Sequence, residues 1–220
     1  MHVLEKKVLE LVGEDPENPD VFTDDAVGIA PIRDAINDGI QEIAMISGSV
    51  KRQYFIPLRA GQLMYRMNLT YGYLGWITDV WLVNRKTRLE QTGIIKVTAH
   101  DPRWMITSGN PRAYFPIGSD MICLYPKPSA SSDVLEITVV EIPISYSDEN
   151  AKIKLKSDFQ YAVVHFAVSE YWASRGDAEE AEKHYQMYLD VAGLRDRFDQ
   201  SPQRYSRFQT NKEPYPTETS

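Results

Sequence analysis

Residues 157–192, SDFQYAVVHFAVSEYWASRGDAEEAEKHYQMYLDVA, carry two helical patterns separated by a single glycine. Phe159, Val163, Phe166, Ala167, Glu170 and Ala173 recur at helical spacing up to Gly176, and Ser157 with Gln160 three residues later has the form of a capping box. Asp177 opens the second helix with Glu180 as its own box partner, and Ala178, Ala181, Tyr185, Tyr188, Leu189 and Ala192 form its apolar face. So short a link at Gly176 turns the helices antiparallel. A lone hairpin of this size cannot bury its own stripes, so the fold turns on what else in the chain is helical.

The matching helices lie at the other end of the sequence. Val3, Leu4, Val8, Leu11 and Val12 keep helical spacing and stop at Gly13, where a left-handed C-terminal cap is cheap. An acidic stretch with Pro16 and Pro19 follows as a loop. A second helix is predicted from near Pro31, with Ile32, Ala35, Ile36, Ile40, Ile43 and Ala44 on one face, Asp34 in its first turn and Gly48 past its end.

Between Gln53 and Pro143 the pattern becomes short aromatic and β-branched runs broken by Gly, Pro, Asn and Asp. Strands are predicted near 54–58, 63–71, 76–83, 94–98, 113–117, 121–125 and 134–142. Gly118, Ser119 and Asp120 form a hairpin turn, Pro126 and Pro128 end the strand before them, and Asp101-Pro102-Arg103-Trp104 reads as a tight turn or one helical turn. The expected fold is therefore α+β. Helices in 1–50 and 148–199 make one scaffold, an antiparallel sandwich or barrel-like unit is inserted at 51–147, and an extended arm occupies 200–220. Ile36, Ile40, Ile43, Phe166 and Leu189 are the expected shared core of the scaffold.

Hydrophobic residues at 43% and charged residues at 25% exclude global disorder. Thirteen tyrosines suit broad contact surfaces. A formal net charge of -7 argues against a protein whose main task is gripping phosphates, though not against a wall that DNA slides past. The single cysteine, Cys123, lies in the apolar run 121–125 and is expected in the core, with no internal disulfide. Polar His2, Glu5, Lys6 and Lys7 interrupt the N-terminus and no stretch approaches ~18 apolar residues, so neither a signal peptide nor a membrane span is expected.

The chemistry-bearing residues do not assemble a motif. His2, His100, His165 and His184 lack zinc-ligand spacing, and His165, between Val164 and Phe166, is expected as a hydrogen-bonded core residue. Gly72 and Gly75 lack the remaining glycine and helix of a dinucleotide fingerprint. Asp79, Glu136 and Glu141 sit on predicted strands, where acidic residues usually face solvent. No catalytic residue, metal ligand or cofactor site is assigned.

The succession Asp101-Pro102-Arg103-Trp104, Gly109-Asn110-Pro111, Tyr114, Gly118 and Ile122-Cys123-Leu124-Tyr125-Pro126-Lys127-Pro128 resembles the head-to-tail adaptor proteins of tailed bacteriophages. So does the frame around it, from Ile32-Arg33-Asp34-Ala35-Ile36 to the hairpin 159–189. The resemblance implies a virion protein at the head–tail junction, made in the host cytoplasm and not an enzyme. It also implies a ring of copies, in roughly twelvefold symmetry, beneath the portal. Such a ring extends the DNA channel without sequence-specific binding and offers a platform to a downstream tail or neck protein. The family's C-terminal arm docks on the portal, and here the arm carries Arg204, Tyr205, Arg207 and Phe208, the composition of a segment that orders on a partner and equally of a frayed terminus.

Two other classes fit the residues. One is a β-sandwich module holding carbohydrate or peptide on Trp76, Trp81 and Tyr73, which requires these rings to form an exposed platform. The other is a cell-wall hydrolase using Asp79 and Glu141, which requires the two carboxylates to converge.

Overall fold

The structure, a computed structural model, describes residues 1–15, 17, 29–69, 72–148 and 150–194. The helices are α1 (Val3–Val12), α2 (Ile29–Ser47), α3 (Ile94–His100), α4 (Ser157–Ser174) and α5 (Ala178–Val191). The strands are β1 (Lys51–Pro57), β2 (Met64–Arg66), β3 (Gly72–Leu82), β4 (Thr87–Arg88), β5 (Glu90–Gln91), β6 (Ser108–Gly109), β7 (Ala113–Ile117), β8 (Met121–Tyr125), β9 (Lys127–Pro128) and β10 (Val134–Pro143). The chain is mixed α+β, as expected, and divides into two units: residues 1–43 with those from 145 onward, and Ala44–Ile144.

In the helical unit, α1 ends at Gly13 with φ 82°, whose N–H bonds the Leu9 carbonyl. Its start has a device the apolar pattern did not disclose: His2 caps Leu4 N–H, and Glu5 reaches back to the His2 N–H at 2.7 Å. Ile36, Ile40, Ile43, Phe166 and Leu189 are all buried, with Leu4, Val8, Leu9, Val163 and Tyr188. Helix α4 is buried without a break from Ala162 to Ser169, so it is the central helix and not an amphipathic one. Phe166 lies so close to Gly39 that a β-carbon there would stand 2.9 Å from its ring. The capping box expected at Ser157 does not form. Lys156 is the N-cap, which places Gln160 at the fourth helical position, outside the box, and its amide donates to the Leu155 carbonyl at 2.8 Å. At Asp177 half of the box forms: its carboxylate accepts from Glu180 N–H, while the Glu180 side chain goes to Lys183.

The β unit is a sandwich of two four-stranded sheets, ordered β1-β10-β3-β4 and β2-β8-β7-β5. Val80, Leu82, Leu135, Ile137 and Val139 of the first sheet meet Tyr65, Tyr114, Ile122 and Leu124 of the second in one buried cluster. The strands 113–117 and 121–125 fall where predicted, joined through Gly118. Long strand pairs are antiparallel, and short parallel pairings, β5 with β7 and β6 with β9, close the margins. Register shifts against β10 between Asp79 and Ile77 and between Trp76 and Leu74 each absorb one residue of β3. They keep Leu74, Ile77, Val80 and Leu82 on the core side and Tyr73, Trp76, Asp79 and Trp81 on the other. The strand expected at 94–98 is instead helix α3, because alternation would bury Ile95 with Val97, whereas Val97 alone is buried and Ile95 is 83% exposed.

Gly39→Ala is expected to destabilise the helical unit by about 1–3 kcal/mol through overpacking on Phe166, and Phe166→Ala by roughly 3–5 kcal/mol. The double variant should lose less than the sum in urea denaturation, since removing the ring makes room for the methyl.

Candidate functional site

Glu5 of α1 is fully buried and its charge is surrounded by donors. Arg33 Nε of α2 lies 2.6 Å from Oε1, the Tyr146 hydroxyl donates to the same oxygen at 3.2 Å, and His2 N–H holds Oε2. Burial pushes the Glu5 carboxyl up, but the Arg33 guanidinium, the His2 amide and the Tyr146 hydroxyl outweigh it and hold it below the ordinary range. Tyr146 is pushed well above the ordinary phenol range, by burial first and then by the Glu5 charge. One turn further along α2, Asn37 takes the Tyr146 N–H at 2.9 Å and donates to its carbonyl at 3.2 Å. These partners are 109 residues apart in sequence. The only local signal for them is the His2-x-x-Glu5 spacing.

The titratable groups singled out in the sequence are placed as follows. Cys123 is buried and its thiol pushed up to about 11 by burial, a core residue as expected. His165 is buried and has a partner that sequence distance concealed: its Nδ1 faces Nδ1 of His184 on α5 at 3.0 Å, so one ring donates to the other, the accepting ring must be neutral, and the two cannot both be charged. Burial lowers both, reinforced at His165 by the opposing His184 and at His184 by Lys183, with Glu180 acting in the other direction. Asp79 pairs with Arg88 at 2.5 Å, and Glu136 accepts from Gln53 at 3.0 Å, both on the solvent side of the first sheet. Glu141 is the exception to the expectation that strand carboxylates face solvent. It is fully buried on the opposite face, bonded by the Tyr54 hydroxyl with Arg52 Nε 3.7 Å away. Asp79 and Glu141 therefore do not converge, and the hydrolase arrangement is not built. Among the described residues no three His, Cys, Asp or Glu side chains are placed to hold a metal ion. No helix among them is long and apolar enough to cross a membrane.

What the β unit does present is apolar surface. On the solvent face of the first sheet aromatic rings alternate with charges in a row across all four strands, Phe55, Glu136, Trp81 and Arg88, with Tyr73 and Trp76 further along β3. Tyr73 is 65% exposed and Trp76 41%, yet the Trp76 ring leans on Gly48, where a β-carbon would stand 3.0 Å away. At another place, Ile94, Ile95, Met105 and Ile106 are all at least half exposed above the buried pair Val97 and Trp104. Arg204, Tyr205, Arg207 and Phe208, the candidate portal-binding residues, lie outside the described residues.

The helical unit is thus discontinuous in sequence, interrupted by a β sandwich that carries aromatic rings on an open face. Residues 4–211 match the model of the SU10 adaptor protein family, and the chain belongs to that family. It is accordingly a structural phage virion protein of the head–tail adaptor type. None of the curated proteins matches the chain.

Asn37→Ala should cost about 1–3 kcal/mol, the penalty of leaving the buried Tyr146 amide and carbonyl unpaired, read by urea denaturation. The histidine pair sets a pH dependence whose sign follows from the lowered values. As pH falls below the ordinary 6.5, the unfolded chain takes up protons first, so stability is full above that pH and is lost below it. The urea midpoint should hold above about pH 7 and fall towards about pH 5, and His165→Phe with His184→Leu should flatten that slope.

Proposed function

We propose that this chain forms a ring that joins the portal to the tail and extends the DNA channel. The observation that carries the reading is the family match, which runs through both units and past the end of α5. Roughly twelve copies around a cyclic axis would suit a portal-bound ring. The charge of -7 fits a channel wall, because a lumen that repels phosphates leaves the polymer free to move. Portal binding is assigned to the arm from Ser201 onward, with Tyr205 and Phe208 as apolar anchors and Arg204 and Arg207 pairing with acidic portal groups. A downstream tail or neck protein takes the opposite end of the ring.

A second reading has one observation in its favour: Tyr73, Trp76 and Trp81 share an open face, as a carbohydrate- or peptide-binding platform would require. Against it, Tyr73 and Trp81 are separated by roughly 25 Å along the strand, too far to stack on one sugar ring. Trp76 between them is held by Gly48. Spaced anchors of this kind suit an extended protein contact better.

Deleting residues 201–220 should leave the far-ultraviolet spectrum of the body intact while abolishing co-sedimentation with purified portal. Portal binding at the affinity of the full chain would move the contact from the arm to the helical unit.

A further inference from the structure

The knob made by α3 and the turn after it is unusual for a surface. Ile95 is 83% exposed, Ile106 67%, Met105 61% and Ile94 50%, all within thirteen consecutive residues. The knob is nonetheless rigid. Val97 and Trp104 anchor it in a buried cluster with Phe115 and Cys123, and Trp104 meets Phe115 edge-on at 5.5 Å. Its one carboxylate, half-buried, is engaged within the knob: Asp101 accepts from Thr107 Oγ1 at 2.6 Å, from the Tyr125 hydroxyl at 3.2 Å and from the Arg103 N–H at 2.8 Å. Lys96, His100 and Arg103 are exposed, and among the described residues neither Lys96 nor Arg103 makes an ion pair. A chain of charge -7 thus carries an apolar knob whose outward charge is positive.

The helical unit carries a surface of the opposite character. A groove between α2 and α4 has an apolar floor of Pro31, Ile32, Ala35 and Ala167, and its rim includes Asp34, Asp38 and Glu170. Asp34 and Asp38 are exposed, one helical turn apart, the same spacing that separates Lys96 from His100 on α3. Ala99 on α3 and Ala35 on α2 leave room for the two helices to approach.

We propose that the Ile94–Ile106 knob of one copy docks in the α2–α4 groove of a second copy, Ile95 and Ile106 on the apolar floor and Lys96, His100 and Arg103 against Asp34 and Asp38. Knob against knob would oppose cation to cation, and groove against groove carboxylate to carboxylate, so the unlike pairing is the favoured one. A contact between unlike faces is head to tail, the kind that repeats around a ring. The inference deepens the ring reading and rests on it in taking the occupant to be another copy.

The test uses disulfide trapping, which the chain permits because its own Cys123 is buried and its thiol is pushed up to about 11. Full-length Ile95→Cys and Ala35→Cys variants are mixed, oxidised alone at high concentration or assembled on portal, and run on non-reducing gels. The expected result is a disulfide dimer in the mixture and not with either variant by itself, nor when Ile95→Cys is mixed with Val3→Cys, an exposed control on α1. Lys96→Glu with Arg103→Glu in the knob copy should lower the yield by about tenfold, and Asp34→Lys with Asp38→Lys in the other copy should restore it. Restoration by the second charge reversal also shows that the first variant is folded. Rings on portal with no mixed disulfide above the Val3 control would overturn the contact and leave the ring reading intact. A mixed disulfide in protein that fails to bind portal would support the contact and remove the portal reading.

Discussion

The helical unit depends on how Tyr146 is held. Its chain returns there after the whole β unit, and it is received by Asn37 through both backbone groups and by Glu5 through the hydroxyl. The entropy of closing so long a loop grows only by about 0.6 kcal/mol per doubling of length, so a few well-placed bonds suffice. Bonds to a charged partner contribute roughly 1.5–3 kcal/mol each, and Glu5 receives three kinds at once, from a guanidinium, a peptide N–H and a phenol. The arrangement is all or nothing. A buried carboxylate stripped of any of these donors would be a penalty in place of a support.

That constraint organises the rest of the unit. With α1, α2 and the returning segment pinned, α4 can run through the middle with apolar side chains on every face. Tyr188 of α5 reaches Glu42 of α2 at 3.0 Å, and Tyr171 of α4 reaches Glu14 beyond α1 at 3.0 Å, so tyrosine hydroxyls on carboxylates recur as the links between helices. The tyrosine surplus that the sequence offered as a sign of contact surfaces is in part spent inside the fold. Tyr65, Tyr114, Tyr146, Tyr171 and Tyr188 are all buried.

The residues that were legible are those whose signal is local and periodic. Gly13 and Gly48 end their helices at positive φ as the apolar pattern requires, and the turn at Gly118 places β7 and β8 to the residue. The stretch 94–98 misled because Ile, Val and Thr favour strands on composition alone. What decided the matter was which side chains could be buried, and only Val97 is. Glu141 misled for the same kind of reason: a strand carboxylate is usually solvated, and only the placement of Tyr54 and Arg52 across the sheet makes its burial tolerable. The histidine pair and the Tyr146 clasp join residues 19 and 109 apart, distances over which no spacing rule operates. The family, in contrast, was legible in the order of weak motifs along the chain, from the turn at 101–104 through Gly118 to the paired strands β7 and β8.

The ring proposed above would hold its partners in register, which needs rigid presentation. The apolar rings of the first sheet sit on paired strands, and the knob sits on buried Val97 and Trp104, so neither surface must be ordered at the moment of contact. Electron microscopy of the purified full chain mixed with its portal tests the central claim most directly. The account predicts a second ring stacked coaxially on one end of each portal particle, with its central channel continuous with the portal's. Portal particles that stay bare at saturating concentrations of folded protein would contradict it.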